Sequence, residues 1–92
     1  MTVHVKIPTP LRKYTDGEHV VEVEASTVGE ALRAVEARHG GLLAKICDKN
    51  GKVRRFINVY AGDEDIRFLS GLETEVEAGA EISIIPAIAG GR

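Results

Sequence analysis

Only one long stretch of this chain carries its apolar residues at helical spacing, and it lies between stretches that alternate with a period of two. Val28, Ala31, Leu32 and Val35 form one apolar stripe, with Glu30, Arg33, Glu36 and Arg38 elsewhere on the surface. Thr27-Val28-Gly29-Glu30 reads as a capping box, which predicts the Thr27 hydroxyl on the Glu30 amide and the Glu30 carboxylate reaching back. Gly40-Gly41 ends the helix. Gly29 is a weak point in its first turn, and either close packing on the sheet or simple tolerance accounts for it.

Ahead of the helix, Val3, Val5 and Ile7 alternate with His4 and Lys6, and Val21, Val23 and Ala25 alternate with Glu22 and Glu24. Pro8-Thr9-Pro10 stops the first of these strands and Asp16-Gly17 turns the chain, so the pair reads as an antiparallel hairpin with a long loop. After the helix come a short second helix over 42–47, a turn over 48–52, a third strand over 56–60, a turn at 62–65 and a short edge segment over 66–69. The last strand, 81–87, has Ile82, Ile84 and Pro86 on one side and Ile85 on the other, which predicts a covered or central position. The order is ββαβ…β. With one helix to cover it, the sheet is covered on one face only, giving an α+β two-layer domain in which a mixed sheet backs one main helix. The terminal strands are then expected side by side and parallel in the middle, although propensity alone does not fix that topology.

Ninety-two residues allow one domain. Twelve basic and fourteen acidic side chains give a net charge of −2 without long blocks, so nucleic acid is not expected as a partner. Lys52-Val53-Arg54-Arg55 is the nearest approach to a basic cluster. It reads as a solvated loop in preference to an acidic-partner or nucleotide contact. No apolar run is long enough to span a membrane and no secretory signal pattern opens the chain, so the expected location is cytoplasmic. Cys47 is the only cysteine; its apolar neighbours at helical spacing predict a buried thiol. His4, His19 and His39 are spaced too far apart for a metal site and are expected at surface or edge positions. Asp63, Glu64 and Asp65 read as an exposed turn led by Gly62.

The sequence closes on Ile85-Pro86-Ala87-Ile88-Ala89-Gly90-Gly91-Arg92. Two glycines strip the backbone of side chains, so such a segment can stay mobile and enter a channel too narrow for a Cβ. The expected division is a folded domain over 1–87 and a flexible tail over 88–92.

Ile7-Pro8-Thr9-Pro10-Leu11-Arg12, Arg55-Phe56-Ile57-Asn58-Val59-Tyr60, Asp63-Glu64-Asp65-Ile66-Arg67-Phe68, Gly71-Leu72 and the closing diglycine stand in the order found in the bacterial sulfur carrier family of ThiS and MoaD, which the chain resembles over nearly its whole length. It is most similar to the carriers of cysteine synthesis. The resemblance implies a ubiquitin-like β-grasp and a protein that is a co-substrate with no catalysis or cofactor of its own. It implies that an E1-like adenylating enzyme activates the Gly91 carboxylate with ATP. Gly90, Ala89 and Ile88 would thread the partner's channel, and the resulting thiocarboxylate would give its sulfur to a synthase in the biosynthesis of cysteine or another sulfur metabolite. Arg92 departs from the pattern, because it occupies the carbonyl that ATP must activate. Related carriers with extra residues are trimmed by JAMM-type zinc metalloproteases, so removal of Arg92 is implied here. Phe68 and Leu69 are weak candidates for partner contact, with core placement the alternative. Two other functions share the same beginnings: a ubiquitin-like protein modifier, and the small subunit of molybdopterin synthase.

Overall fold

The computed structural model describes residues 1–86. Its strands are β1 (Thr2–Lys6), β2 (Val20–Glu24), β3 (Ile57–Ala61), β4 (Glu64–Asp65) and β5 (Glu81–Pro86), and its α-helices are α1 (Val28–Arg38) and α2 (Leu43–Ile46). They form one sheet in the order β2-β1-β5-β3-β4. β1 pairs antiparallel with β2 and parallel with β5, and β5 pairs antiparallel with β3. The sheet is therefore mixed, with the terminal strands adjacent at its centre. This is the β-grasp arrangement expected from the sequence.

The period-two pattern sorts the two faces as predicted. Val3, Val5, Val21, Val23, Val59, Ile82 and Ile84 are buried beneath α1, which contributes Val28, Ala31, Leu32 and Val35. Each such side chain withdraws enough apolar surface to favour folding by about 1.5–3 kcal/mol. The cap forms as the sequence predicts, with the Glu30 amide donating to Thr27 Oγ1 at 3.1 Å and the Ser26 amide to Glu30 Oε1 at 2.8 Å.

Several local expectations change. The loop between β1 and β2 folds as a 3-10 helix over Thr9–Thr15, entered through Pro10 and closed by Asp16 in the left-handed conformation. Thr15 is fully buried there, its Oγ1 2.7 Å from the Glu18 carbonyl oxygen. The third strand starts at Ile57, leaving Phe56 outside it and exposed. Residues Ile66–Phe68 form a 3-10 turn in place of an edge segment, because the Asp65 carboxylate accepts from the Arg67 amide at 2.8 Å and caps it. Asp65 is accordingly a buried capping residue, whereas Asp63 and Glu64 are exposed as expected. His39 also departs from a surface reading. Its side chain is only 10% exposed, and its Nε2 lies 3.1 Å from Glu18 Oε1, joining the end of α1 to the β1–β2 loop.

Gly29 is explained by close packing, but against a turn and not against the sheet. A Cβ there would stand 3.1 Å from the carbonyl oxygen of Leu72, in the 3-10 turn Gly71–Glu73. The missing side chain lets this turn close over the first turn of α1.

Two substitutions test these assignments. Leu32→Ala is expected to destabilise the domain by about 2–5 kcal/mol in denaturant unfolding, since Leu32 is buried between helix and sheet. Gly29→Ala is expected to gain none of the ~1 kcal/mol that alanine ordinarily offers over glycine in a helix, because Leu72 occupies the space. A clear rise in melting temperature would show that the turn yields.

Candidate functional site

The site is built around the end of β5. β5 lies between β1 and β3, and Pro86, the last described residue, faces Ile57 across the ladder. The predicted working residue Gly91, the threading residues Gly90, Ala89 and Ile88, and Arg92 all lie outside the described residues, as does the expected boundary between 87 and 88.

The open face of the sheet presents the side chains that the core does not use. Ile85, paired with Asn58, is 46% exposed. The sequence placed it opposite Ile82 and Ile84, and β5 is central as expected, but among the described residues nothing covers Ile85. Phe68 is 85% exposed and Leu69 40%, so the structure places both on the surface and not in the core. Arg67, next to Phe68 in the chain, reaches Asn58, the strand partner of Ile85. Its guanidinium donates to Asp65 Oδ2 at 3.0 Å and also to Asn58 Oδ1. Arg67 and its amide hold the Asp65 carboxyl below the usual carboxylate range, and Asp65 in turn raises the Arg67 guanidinium. The pairing fixes Arg67 across β3 and β4, and with it the turn that displays Phe68. Sequence reasoning missed Ile85, Arg67 and Asn58; the usable signal was the alternation along β3 and β5, which puts Asn58 and Ile85 on one face.

Two concavities flank the end of β5. A shallow one, of about 340 Å³, lies between Pro8, Arg12 and the 83–86 stretch. A larger cleft, of about 860 Å³, lies between the 48–57 and 65–73 segments and includes Lys52, Arg54, Arg55 and Phe56. Cys47 is buried near this loop, and burial pushes its thiol above the usual range, so it presents no ready thiolate. Among the described residues no group of His, Cys, Asp and Glu is placed to hold a metal ion, and no helix is long and apolar enough to cross a membrane.

Comparison with known proteins places this geometry. The sulfur carrier protein CysO of Mycobacterium tuberculosis is 41% identical over 93 aligned positions, covering 99% of this chain and 100% of that protein. In the crystal structure of the Amycolatopsis orientalis BexX/CysO complex, a chain 50% identical superposes with a TM-score of 0.91, covering 97% of this chain and 99% of that one. Small archaeal modifier protein 3 of Haloferax volcanii is 33% identical over 66 residues, 72% of this chain and 71% of that protein. The model of the ThiS family matches residues 5–91, from the middle of β1 through β5 and on to the second glycine of the closing diglycine; the chain belongs to the ThiS family.

Proposed function

We propose that this protein is a sulfur carrier whose working group is the Gly91 carboxylate, set free by removal of Arg92. The observation that carries this reading is a sequence diglycine a few residues after a central strand, in a chain that is similar over its whole length to a sulfur carrier protein. β5 is laddered to β1 as far as Ser83 and to β3 as far as Pro86, so the last described residue is held by the sheet.

In this reading an E1-like adenylating enzyme binds the carrier and ATP. A Gly91 carboxylate oxygen attacks the α-phosphorus, and pyrophosphate leaves. Hydrosulfide then attacks the carbonyl carbon of the acyl-adenylate and AMP leaves, giving the thiocarboxylate that a sulfur-accepting synthase consumes. The protein supplies the reacting carboxylate and the docking surface; its partner supplies the active site. Ile88 and Ala89 lead into Gly90 and Gly91, narrow enough for a channel that rejects a Cβ. A JAMM-type metalloprotease would hydrolyse the Gly91–Arg92 bond beforehand. Phe68, Leu69 and Ile85 are exposed apolar side chains available for contact with the adenylating enzyme. The existence of a BexX/CysO complex supports a carrier that works by binding a second protein.

A second reading, a ubiquitin-like modifier, is favoured by the similarity to the archaeal modifier protein. It shares the adenylate and differs in its product, an isopeptide bond from Gly91 to a lysine. A role as the small subunit of molybdopterin synthase would instead require insertion of the tail into a large subunit.

The discriminating experiment incubates the full chain and the form ending at Gly91 with the adenylating enzyme, ATP and sulfide, and reads the intact mass. The form ending at Gly91 is expected to exchange one oxygen for one sulfur, and the full chain to remain unchanged. Gly91→Ala, in the shorter form, is expected to react more slowly because a Cβ is added at the reacting residue. Equal yields from both forms would remove the processing step, and no thiocarboxylate from either would remove the carrier reading. Isopeptide products in cell extract would establish the modifier.

A further inference from the structure

The topology sorts the charges of this chain. β1 and β5 run in one direction and β2 and β3 in the other, so one end of the sheet is where β5 finishes and the other where it begins. The connections at the finishing end carry Arg12, Lys13, Lys45, Lys52, Arg54 and Arg55; those at the starting end carry Glu24, Glu30, Asp63, Glu64, Glu75 and Glu77. Asp16, Glu18 and Asp48 of the same connections keep their charge, but with Lys49 the basic residues there number seven to their three, and the acids at this end also have local partners. Glu36 accepts from the amides of Gly41 and Leu43, Asp48 from those of Asn50 and Lys52, and Asp16 and Glu18 face His39. Among the described residues Lys52 and Arg55 make no ion pair. A net charge of −2 thus conceals a polarity along the axis of β5.

The basic end also has an apolar anchor point. The cleft of about 860 Å³ lies beside Ile57, the residue that faces Pro86, and reaches inward to Val59, Ile66 and Leu72. At its rim Phe56 is 53% exposed, with the Arg55 guanidinium 5.3 Å from the centre of its ring. A merely solvated loop requires charges, but it requires neither their concentration at one end of the sheet nor an apolar cleft among them.

We propose that this basic end, with the cleft of Lys52, Arg54, Arg55 and Phe56 as its centre, docks onto an acidic protein surface surrounding the opening that receives Gly90 and Gly91. The polarity of the molecule turns it tail-first during encounter, since the acidic end is repelled by the surface that attracts the basic end. Phe56 supplies the apolar contact once the two surfaces meet. The inference rests on the carrier reading and adds to it the chemistry of the partner's rim.

The test measures association rates by stopped flow, using the adenylating enzyme that accepts the form ending at Gly91. For that form, the rate constant is expected to fall about tenfold or more between ~0.05 and ~0.3 M salt. Lys52→Glu with Arg55→Glu is expected to slow association by about tenfold at low salt and to flatten the salt dependence, with the melting temperature unchanged because both side chains are exposed. Lys52→Arg with Arg55→Lys should restore the rate, and Glu75→Lys with Glu77→Lys, at the far end, should not slow it. A salt-independent rate, or equal rates for wild type and the double glutamate variant, would overturn the docking surface while leaving the carrier reading intact. If no enzyme adenylates the form ending at Gly91, both fall. Binding of a mixed-sequence oligonucleotide that the glutamate variant loses would reassign the patch to nucleic acid.

Discussion

The parallel pairing of β1 with β5 is the contact on which the rest of the structure depends. It joins residues 4–6 to residues 81–83, nearly the full length of the described chain. The intervening chain must therefore leave the sheet and return, and α1 is the crossover that makes the return possible. The same pairing moves the last strand from an edge to the centre. It gives Ile82 a neighbour on each side, Val5 and Ala61, and it confines the exposed edges to β2 and the two-residue β4. A short edge strand and the glutamates of β2 leave little backbone for another chain to pair with.

On the buried face, the helix is fixed at both ends by different means. At its start, Thr27 and Glu30 satisfy the amides that a helix leaves open, and Gly29 allows the turn at Leu72 to close over it. At its end, Glu36 accepts from the amides of Gly41 and Leu43, and these bonds hold its carboxyl below the usual range. Near the same end His39 reaches the β1–β2 loop. Loops that look unrelated in sequence are thus tied to one helix.

The two faces of the sheet were legible in the sequence wherever one strand buries one face: Val3, Val5, Val21 and Val23 fall where period two puts them. The helix start was legible because Thr27 and Glu30 carry their own geometry. Residues 66–69 were not. Ile66 is buried and Phe68 exposed, which resembles alternation as little as it resembles a helix, and only the cap from Asp65 reveals a 3-10 turn. Hydrophobicity likewise does not say that Phe68 faces outward, because an apolar side chain at the surface and one in a core have the same composition. The diglycine itself was visible from sequence alone. The setting of Pro86 was not, since Arg12 and Arg54 are brought to one end of the sheet only by the strands on either side of β5.

The central position of β5 also decides how the domain responds to force. A force applied at Pro86 along the axis of β5 runs parallel to the flanking strands. The hydrogen bonds to β1 and β3 then lie across the direction of pull and share the load. A pull on β4, at the edge, would instead peel its few bonds one after another. β5 is thus mounted in shear, the geometry in which a β-sheet gives way last.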